Sequence, residues 1–260
     1  MDTSKNPIGL FDSGIGGTSI WKEVHRLLPN EDTIYLADSK NAPYGLRPKQ
    51  EIIDLSFKNT KFLLERGCKI IVVACNTATT NAIKELRANF NVPFIGIEPA
   101  IKPAAIHTKT NAVGILATKG TLSSELFNQT VSGFTGVNVI EQVGHGLVEL
   151  IEGGKLESTE MQILLEEYLN PMIEANIDYL VLGCSHYPYL APQMRKILPE
   201  SVTIIDSGKP VAKQTKKVLQ SMDLLNTDLH EVYNTFYTNA DAHVLQSIIG
   251  TKFTAEHIDF

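Results

Sequence analysis

Short apolar runs alternate with helical patterns along this chain, and the alternation constrains the fold more than any other feature. Residues 8–11, 33–36, 69–74 and 93–97 read as strands. A β-branched or aliphatic run that does not alternate with polar residues is the pattern of a strand covered on both faces, as in a parallel sheet. A helix starts near Thr18 and stops before Pro29. Another carries the stripe Ile52, Ile53, Leu55, Phe57, Phe62, Leu63 and Leu64 until Gly67 ends it, and a third spans 77–90. The alternation then restarts. Strands are expected at 112–117, 136–140, 178–183 and 202–205, with helices at 120–131, 144–151 and 158–175 and after Pro188 and Gly208. Residues 232–238 alternate as a further strand. The expected class is α/β: two pseudo-symmetric domains, each a mainly parallel sheet flanked by helices.

Two of the three cysteines occupy matching places in this pattern. Cys75 follows the run 69–74 and precedes Asn76-Thr77; Cys184 follows 178–183 and precedes Ser185-His186. Ligands of open α/β sheets bind outside the carboxyl ends of strands. Two thiols brought there by two similar units can face one ligand from opposite sides. That layout suits removal of a proton from one face of a carbon and its return to the other. His186, two residues after Cys184, is placed to lower a thiol pKa or shuttle its proton. Asn76, Thr77 and Ser185 can donate hydrogen bonds to a carboxylate, helped in the first half by a helix N-terminus. The ordinary role of one buried Cys is that of a small hydrophobe, and Cys68 is read that way.

Composition narrows the function classes. The net charge is −6 with both signs interspersed, and no basic block points to nucleic acid. No apolar run approaches the ~18 residues that a membrane span needs. The stretch from Met1 to Pro7 is polar and lacks a secretory pattern, and the sparse, odd cysteine count fits reduced thiols. A cytoplasmic protein is expected, without membrane or nucleic-acid partners; composition does not bear on assembly, and the expectation of a homodimer stands apart from it.

Several loops are candidates for the site, each with a plainer reading. Asp12-Ser13-Gly14-Ile15-Gly16-Gly17 joins a strand to a helix. Its spacing is not that of a dinucleotide or P-loop fingerprint, and the Asp12 carboxylate repels a phosphate. A substrate ammonium or a proton relay suits Asp12 better, against a plain cap at a tight turn. Pro43-Tyr44-Gly45 is a turn signal whose phenol can also cover a cleft. Thr118 and Thr121 flank a helix start, either as caps or as ligand contacts. Glu152 precedes Gly153-Gly154 at a helix end, where an acid opposes the helix dipole; it is either exposed or held in the cleft. Zinc bound by Cys75, Cys184 and His186 is a rival, although paired ligand spacings are absent. A Cys–His hydrolase is another, but it leaves the second thiol unused. A two-lobed binding protein without catalysis is the alternative outside enzymes.

The segments 11–17, 42–45, 74–78, 96–100, 114–118 and 183–188 together form a recognisable set. In order and spacing, from about residue 8 to 210, the chain resembles the glutamate racemases. These are cofactor-independent enzymes of the aspartate/glutamate racemase superfamily that serve bacterial cell-wall synthesis. The resemblance implies an active site in the cleft between domains 1–97 plus 207–260 and 98–206, glutamate as substrate, and no cofactor or metal. It implies Cys75 and Cys184 as the two bases, Cys75 acting on D-glutamate and Cys184 on L-glutamate, with Asp12 and His186 assisting and Glu152 implicated. Asp12 is expected to tune Cys75, and His186 to tune Cys184. Substrate contacts are expected from Asp12, Ser13, Tyr44, Gly45, Asn76, Thr77, Ser185 and His186, with Pro43, Thr118 and Thr121 beside them. The chain departs from the family at Ser185, where Thr is usual, at Glu149, where Pro is frequent, and at Ser19-Ile20-Trp21.

Overall fold

The computed structural model describes residues 3–228 and 230–260. Met1 and Asp2, at the head of the polar N-terminal stretch, lie outside the described residues. In chain order the elements are β1 (Ile8–Asp12), α1 (Thr18–Leu27), β2 (Thr33–Ala37), α2 (Lys49–Glu65), β3 (Ile70–Val73), α3 (Asn76–Asn89), β4 (Phe94–Gly96), α4 (Ile101–His107), β5 (Ala112–Ala117), α5 (Lys119–Leu122) and α6 (Glu125–Ser132). They continue with β6 (Asn138–Val143), α7 (Leu147–Glu152), α8 (Thr159–Glu174), β7 (Tyr179–Gly183), α9 (Ala191–Ile197), β8 (Thr203–Ile205), α10 (Gly208–Ser221), β9 (Asn234–Thr238), α11 (Ala242–Ile249) and β10 (Ala255–His257). Short 3-10 turns at Ser39–Asn41, Tyr44–Leu46 and Tyr187–Leu190 shape three of the loops.

Two parallel sheets result. The first has the order β10-β9-β2-β1-β3-β4, the second β6-β5-β7-β8. The chain leaves the first sheet after β4 and returns to it after β8. The Ser207 hydroxyl bonds the Glu98 carbonyl where these two crossings pass. Every residue of β1 and β3 is buried, as unbroken apolar runs between helix layers should be. Truncating one such side chain, for instance Ile71→Ala, costs about 2–5 kcal/mol because the packed sheet cannot collapse into the gap.

Register decides what meets at the strand ends. Asp12 pairs with Ala37, and Phe11 with Val73. Asp12, Asp38 and Cys75 therefore emerge from one edge of the first sheet. Ala117 pairs with Gly183, so Thr118 and Cys184 leave the second sheet side by side.

Some boundaries differ from the sequence reading. The expected helix 120–131 is two helices, α5 and α6, because the Ser124 hydroxyl accepts the Phe127 N–H and starts a new one. The strand expected at 136–140 is β6, displaced toward its C-terminal side after Gly136 turns with φ +88°. Elements α4, α11 and β10 have no counterpart among the expected elements. Trp21, one of the departures after the glycine loop, is a core residue. Its indole N–H donates to Thr33 Oγ1 at 2.8 Å, and its ring meets Phe236 and Phe253 edge-on at 4.6 and 5.0 Å.

Candidate active site

The ends of β1, β3, β5 and β7 converge on one small pocket with an empty volume of about 230 Å3. Its wall is made by Ser13, Pro43, Tyr44, Gly45, Cys75, Asn76 and Thr77 from the first-sheet side. Thr118, Val148, Cys184, Ser185 and His186 come from the other. A larger hollow of about 980 Å3 lies between α2, α3 and the α5–α6 segment, beside Arg47, Lys49, Lys84, Glu85 and Glu125. It contains no thiol and no histidine, so the small pocket is the candidate site.

Cys75 caps α3. Its sulfur accepts the Ala78 N–H at 3.4 Å and lies 3.6 Å from Ser13 Oγ. Burial pushes the thiol well above its ordinary pKa and the Asp12 carboxylate adds to the rise, while the Ala78 N–H and Ser13 work the other way. Cys184 is likewise buried, with its sulfur 3.8 Å from His186 Nδ1. Cys184 contributes to the rise at Cys75.

His186 is buried, and burial opposes its protonation. Hydrogen bonds to Cys184 and Glu152, with the Asp12 charge, outweigh that and push its pKa well up. Its Nε2 lies 2.6 Å from Glu152 Oε1, and its Nδ1 lies 3.9 Å from Asp12 Oδ2. The imidazole thus presents Nδ1 to the thiol while Nε2 is held from behind, the arrangement that fixes which nitrogen works.

Asp12, Glu152 and Thr121 stand behind the pocket wall and do not line it. Asp12 is fully buried; its carboxylate accepts the Gly17 N–H at 2.8 Å and the Ser185 hydroxyl at 3.1 Å. Its pKa is raised by burial, against the pull of His186 and the Gly17 N–H. It therefore bridges both halves rather than serving the Cys75 side alone. Glu152 ends α7 and is held in the cleft: besides His186 it accepts the Ile15 N–H at 2.7 Å and the Ser39 hydroxyl at 2.8 Å.

These contacts explain the glycine loop. A Cβ on Gly14 would sit 1.9 Å from Glu152 Oε1, and one on Gly16 would sit 2.2 Å from His186 Nδ1 and 2.6 Å from the His186 backbone nitrogen. The glycines let the segments around Glu152 and His186 dock directly on the loop. On the opposite flank the Thr77 hydroxyl meets those of Thr118 at 2.8 Å and Thr121 at 3.2 Å. Thr118 caps α5, as its plain reading has it, and also lines the pocket.

Three residues lay beyond the sequence reading. Asp38 fixes the phenol that covers the pocket, accepting from Tyr44 at 2.5 Å and from Asn239, Asn41 and Lys58. Ser39 holds Glu152. Both follow β2, and the strand-end rule that singled out Cys75 extends to them. Val148 lines the pocket from α7, with no signal beyond its place in an apolar stripe. Asn76 is buried, and neither polar atom of its side chain has a partner, although it lines the pocket. A buried amide of this kind is a strong pointer to a missing polar group. Among the described residues no three His, Cys, Asp or Glu side chains converge as a metal ion requires.

Cys68 is elsewhere, in the core against Gly9, its thiol pushed up to about 12 mainly by burial. Cys68→Ala should therefore leave turnover within about twofold of the wild type, the scatter of a change that touches no reacting group. A steady-state assay of that variant checks it.

Comparison with known proteins places the chain. A family model for Asp/Glu/hydantoin racemases matches residues 8–215. A glutamate racemase of Herpetosiphon aurantiacus is 45% identical over 236 residues, covering 90% of this chain and 93% of that protein. A glutamate racemase isoform from Bacillus anthracis superposes with a TM-score of 0.87 at 30% identity, covering 98% and 97% of the two chains. The Escherichia coli enzyme, solved with L-glutamate and the activator UDP-MurNAc-ala, superposes with a TM-score of 0.86 at 31% identity, covering 97% and 98%. On this extent of match, built around the same α/β architecture, the chain belongs to the Asp/Glu/hydantoin racemase family.

Proposed function

We propose that this racemase interconverts L- and D-glutamate by a two-thiol mechanism and supplies D-glutamate for peptidoglycan. The observation that carries the reading is that Cys75 and Cys184, from the ends of strands in two different sheets, line one pocket. Glutamate is the substrate best supported, because the curated relatives are glutamate racemases and the Escherichia coli structure holds L-glutamate. In this reading the domains are 1–97 with 207–260 and 98–206, the protein is a cytoplasmic homodimer, and the substrate lies between the domains.

The chemistry follows from the groups present. Cys184, as thiolate, takes the α-proton of L-glutamate, and the Cys75 thiol delivers its proton to the opposite face. D-glutamate reverses the roles. His186, its pKa pushed well up, faces the Cys184 sulfur at 3.8 Å and is placed to give it or take from it a proton. In the L-glutamate direction, burial and the Asp12 carboxylate favour the protonated, proton-donating form of Cys75. The orphaned Asn76 amide and the N-terminus of α3 offer donors for a substrate carboxylate, whose negative charge grows as the proton leaves. Positioning supplies the remainder, since a bound carbon held between a base and an acid avoids the entropic cost of collecting them.

The test uses the protein alone. Dialysed, chelator-treated enzyme should bring either enantiomer of glutamate to the racemate, followed by circular dichroism. Activity that appears only with added pyridoxal phosphate or metal refutes the mechanism.

A further inference from the structure

Outside the pocket, a second set of hydroxyls joins the two halves. Thr18, the first residue of α1, is fully buried, and its Oγ1 lies 2.6 Å from the Tyr189 phenol oxygen. Thr18 also bonds the Ile15 carbonyl at 2.6 Å. A threonine hydroxyl has one hydrogen. Since that hydrogen goes to Ile15, the phenol donates to Thr18. Burial pushes the Tyr189 phenol well up, so it keeps its proton across the working pH range. Lys22 covers the ring at 4.9 Å, and the neighbouring Ser19 hydroxyl donates to the Ser185 carbonyl at 2.8 Å.

The connection closes a ring. Tyr189 N–H bonds the His186 carbonyl at 3.2 Å, and the phenol reaches Ile15 through Thr18. The other side of Ile15, its N–H, donates to Glu152, which holds His186 Nε2. One residue of the glycine loop is therefore tied to His186 twice, once through the carboxylate and once through the hydroxyl pair. Chains of this kind polarise and rigidify one another in a buried setting.

We propose that Thr18 and Tyr189 are a positioning pair for the Cys184 side of the reaction, acting through the Ile15 peptide on the Glu152–His186 contact. Neither residue touches the pocket. The pair holds the segment 184–189 against the glycine loop, and through it the distance between His186 and the Cys184 sulfur. The kinetic consequence rests on the racemase reading; the effect on the Cys184 setting does not.

The test compares wild type with Tyr189→Phe, Thr18→Val and Thr18→Ser. Limiting iodoacetamide is added to the native proteins, and labelling of Cys75 and Cys184 is timed by mass spectrometry. In Tyr189→Phe and Thr18→Val, Cys184 should label about fivefold faster, the change in local opening that loss of one net hydrogen bond allows. Cys75 should change less than about twofold, and Thr18→Ser, which keeps the hydroxyl, should restore the wild-type ratio. Equal acceleration of both thiols, or of neither, overturns the proposal. Where the wild type racemises glutamate, the α-deuterium effect on kcat supplies a second readout. In Tyr189→Phe it should rise with L-glutamate, where Cys184 removes the deuteron. It should fall with D-glutamate, where the slowed Cys184 step follows the labelled one. Isotope effects that move together or not at all overturn the proposal as well. A wild type that does not racemise glutamate refutes the racemase reading, while the labelling ratio still decides whether the pair sets the position of Cys184.

Discussion

Cys75→Ser and Cys184→Ser should each lose racemisation in both directions by about 10^3-fold or more, the range that loss of a general acid or base commands. Each hand of substrate needs one thiol to take the proton and the other to give one back, so neither variant retains a favoured direction. Serine is the informative replacement at position 75. The sulfur there caps α3, and an alanine would remove the cap at a cost of about 1 kcal/mol, confusing stability with chemistry. A hydroxyl keeps the cap but is far too weak an acid to be an anion at neutral pH. Melting within about 3 °C of the wild type confirms that the fold is intact. Racemisation by Cys184→Ser at a rate near that of the wild type would falsify the two-thiol reading.

Gly16→Ala is expected to be the most damaging change outside the thiols. The new methyl would lie 2.2 Å from the imidazole and 2.6 Å from the His186 backbone nitrogen, so the clash cannot be relieved by a side-chain rotation. Either the glycine loop or the segment after Cys184 must move. A shift of about 1 Å in a reacting group costs on the order of 10^2 in rate, and overpacking costs about 1–3 kcal/mol in stability. Gly133→Ala is the control, because its nearest contact is an ordinary 3.4 Å from the Thr130 carbonyl. Measured kcat and melting temperature for the two variants separate a docking role from a general intolerance of side chains. A Gly16→Ala enzyme with normal kcat would show that the two halves do not need this contact.

The strands were legible because a parallel strand covered on both faces has to be apolar throughout, and 69–74 and 178–183 are nearly so. The position of Cys75 and Cys184 at strand ends followed directly. Elements that owe their existence to neighbours were not legible. Strand β10 is Ala-Glu-His, with no apolar run, and is a strand only because β9 pairs with it. The break between α5 and α6 is a local capping event at Ser124 inside an otherwise continuous helical pattern. In the site, the residue types were readable while their partners were not. The glycine loop carried no mark of the two side chains that dock on it. Glu152 could be read as exposed or in the cleft, because its partners Ile15, Ser39 and His186 are distant in sequence. Thr18 and Tyr189, 171 residues apart, gave no sign of their hydrogen bond.

The first sheet is assembled from two separated stretches, 8–96 and 234–257, with β9 adding to the free edge of β2 and β10 to β9, whereas the second sheet uses one continuous stretch. During synthesis the second sheet has all its strands once β8 has left the ribosome, while β2 still presents an unpaired edge. Domains ordinarily mature in the order in which they are made. Here the order is inverted: the half bearing Cys184 can close while the half bearing Cys75, though begun first, waits for β9 and β10.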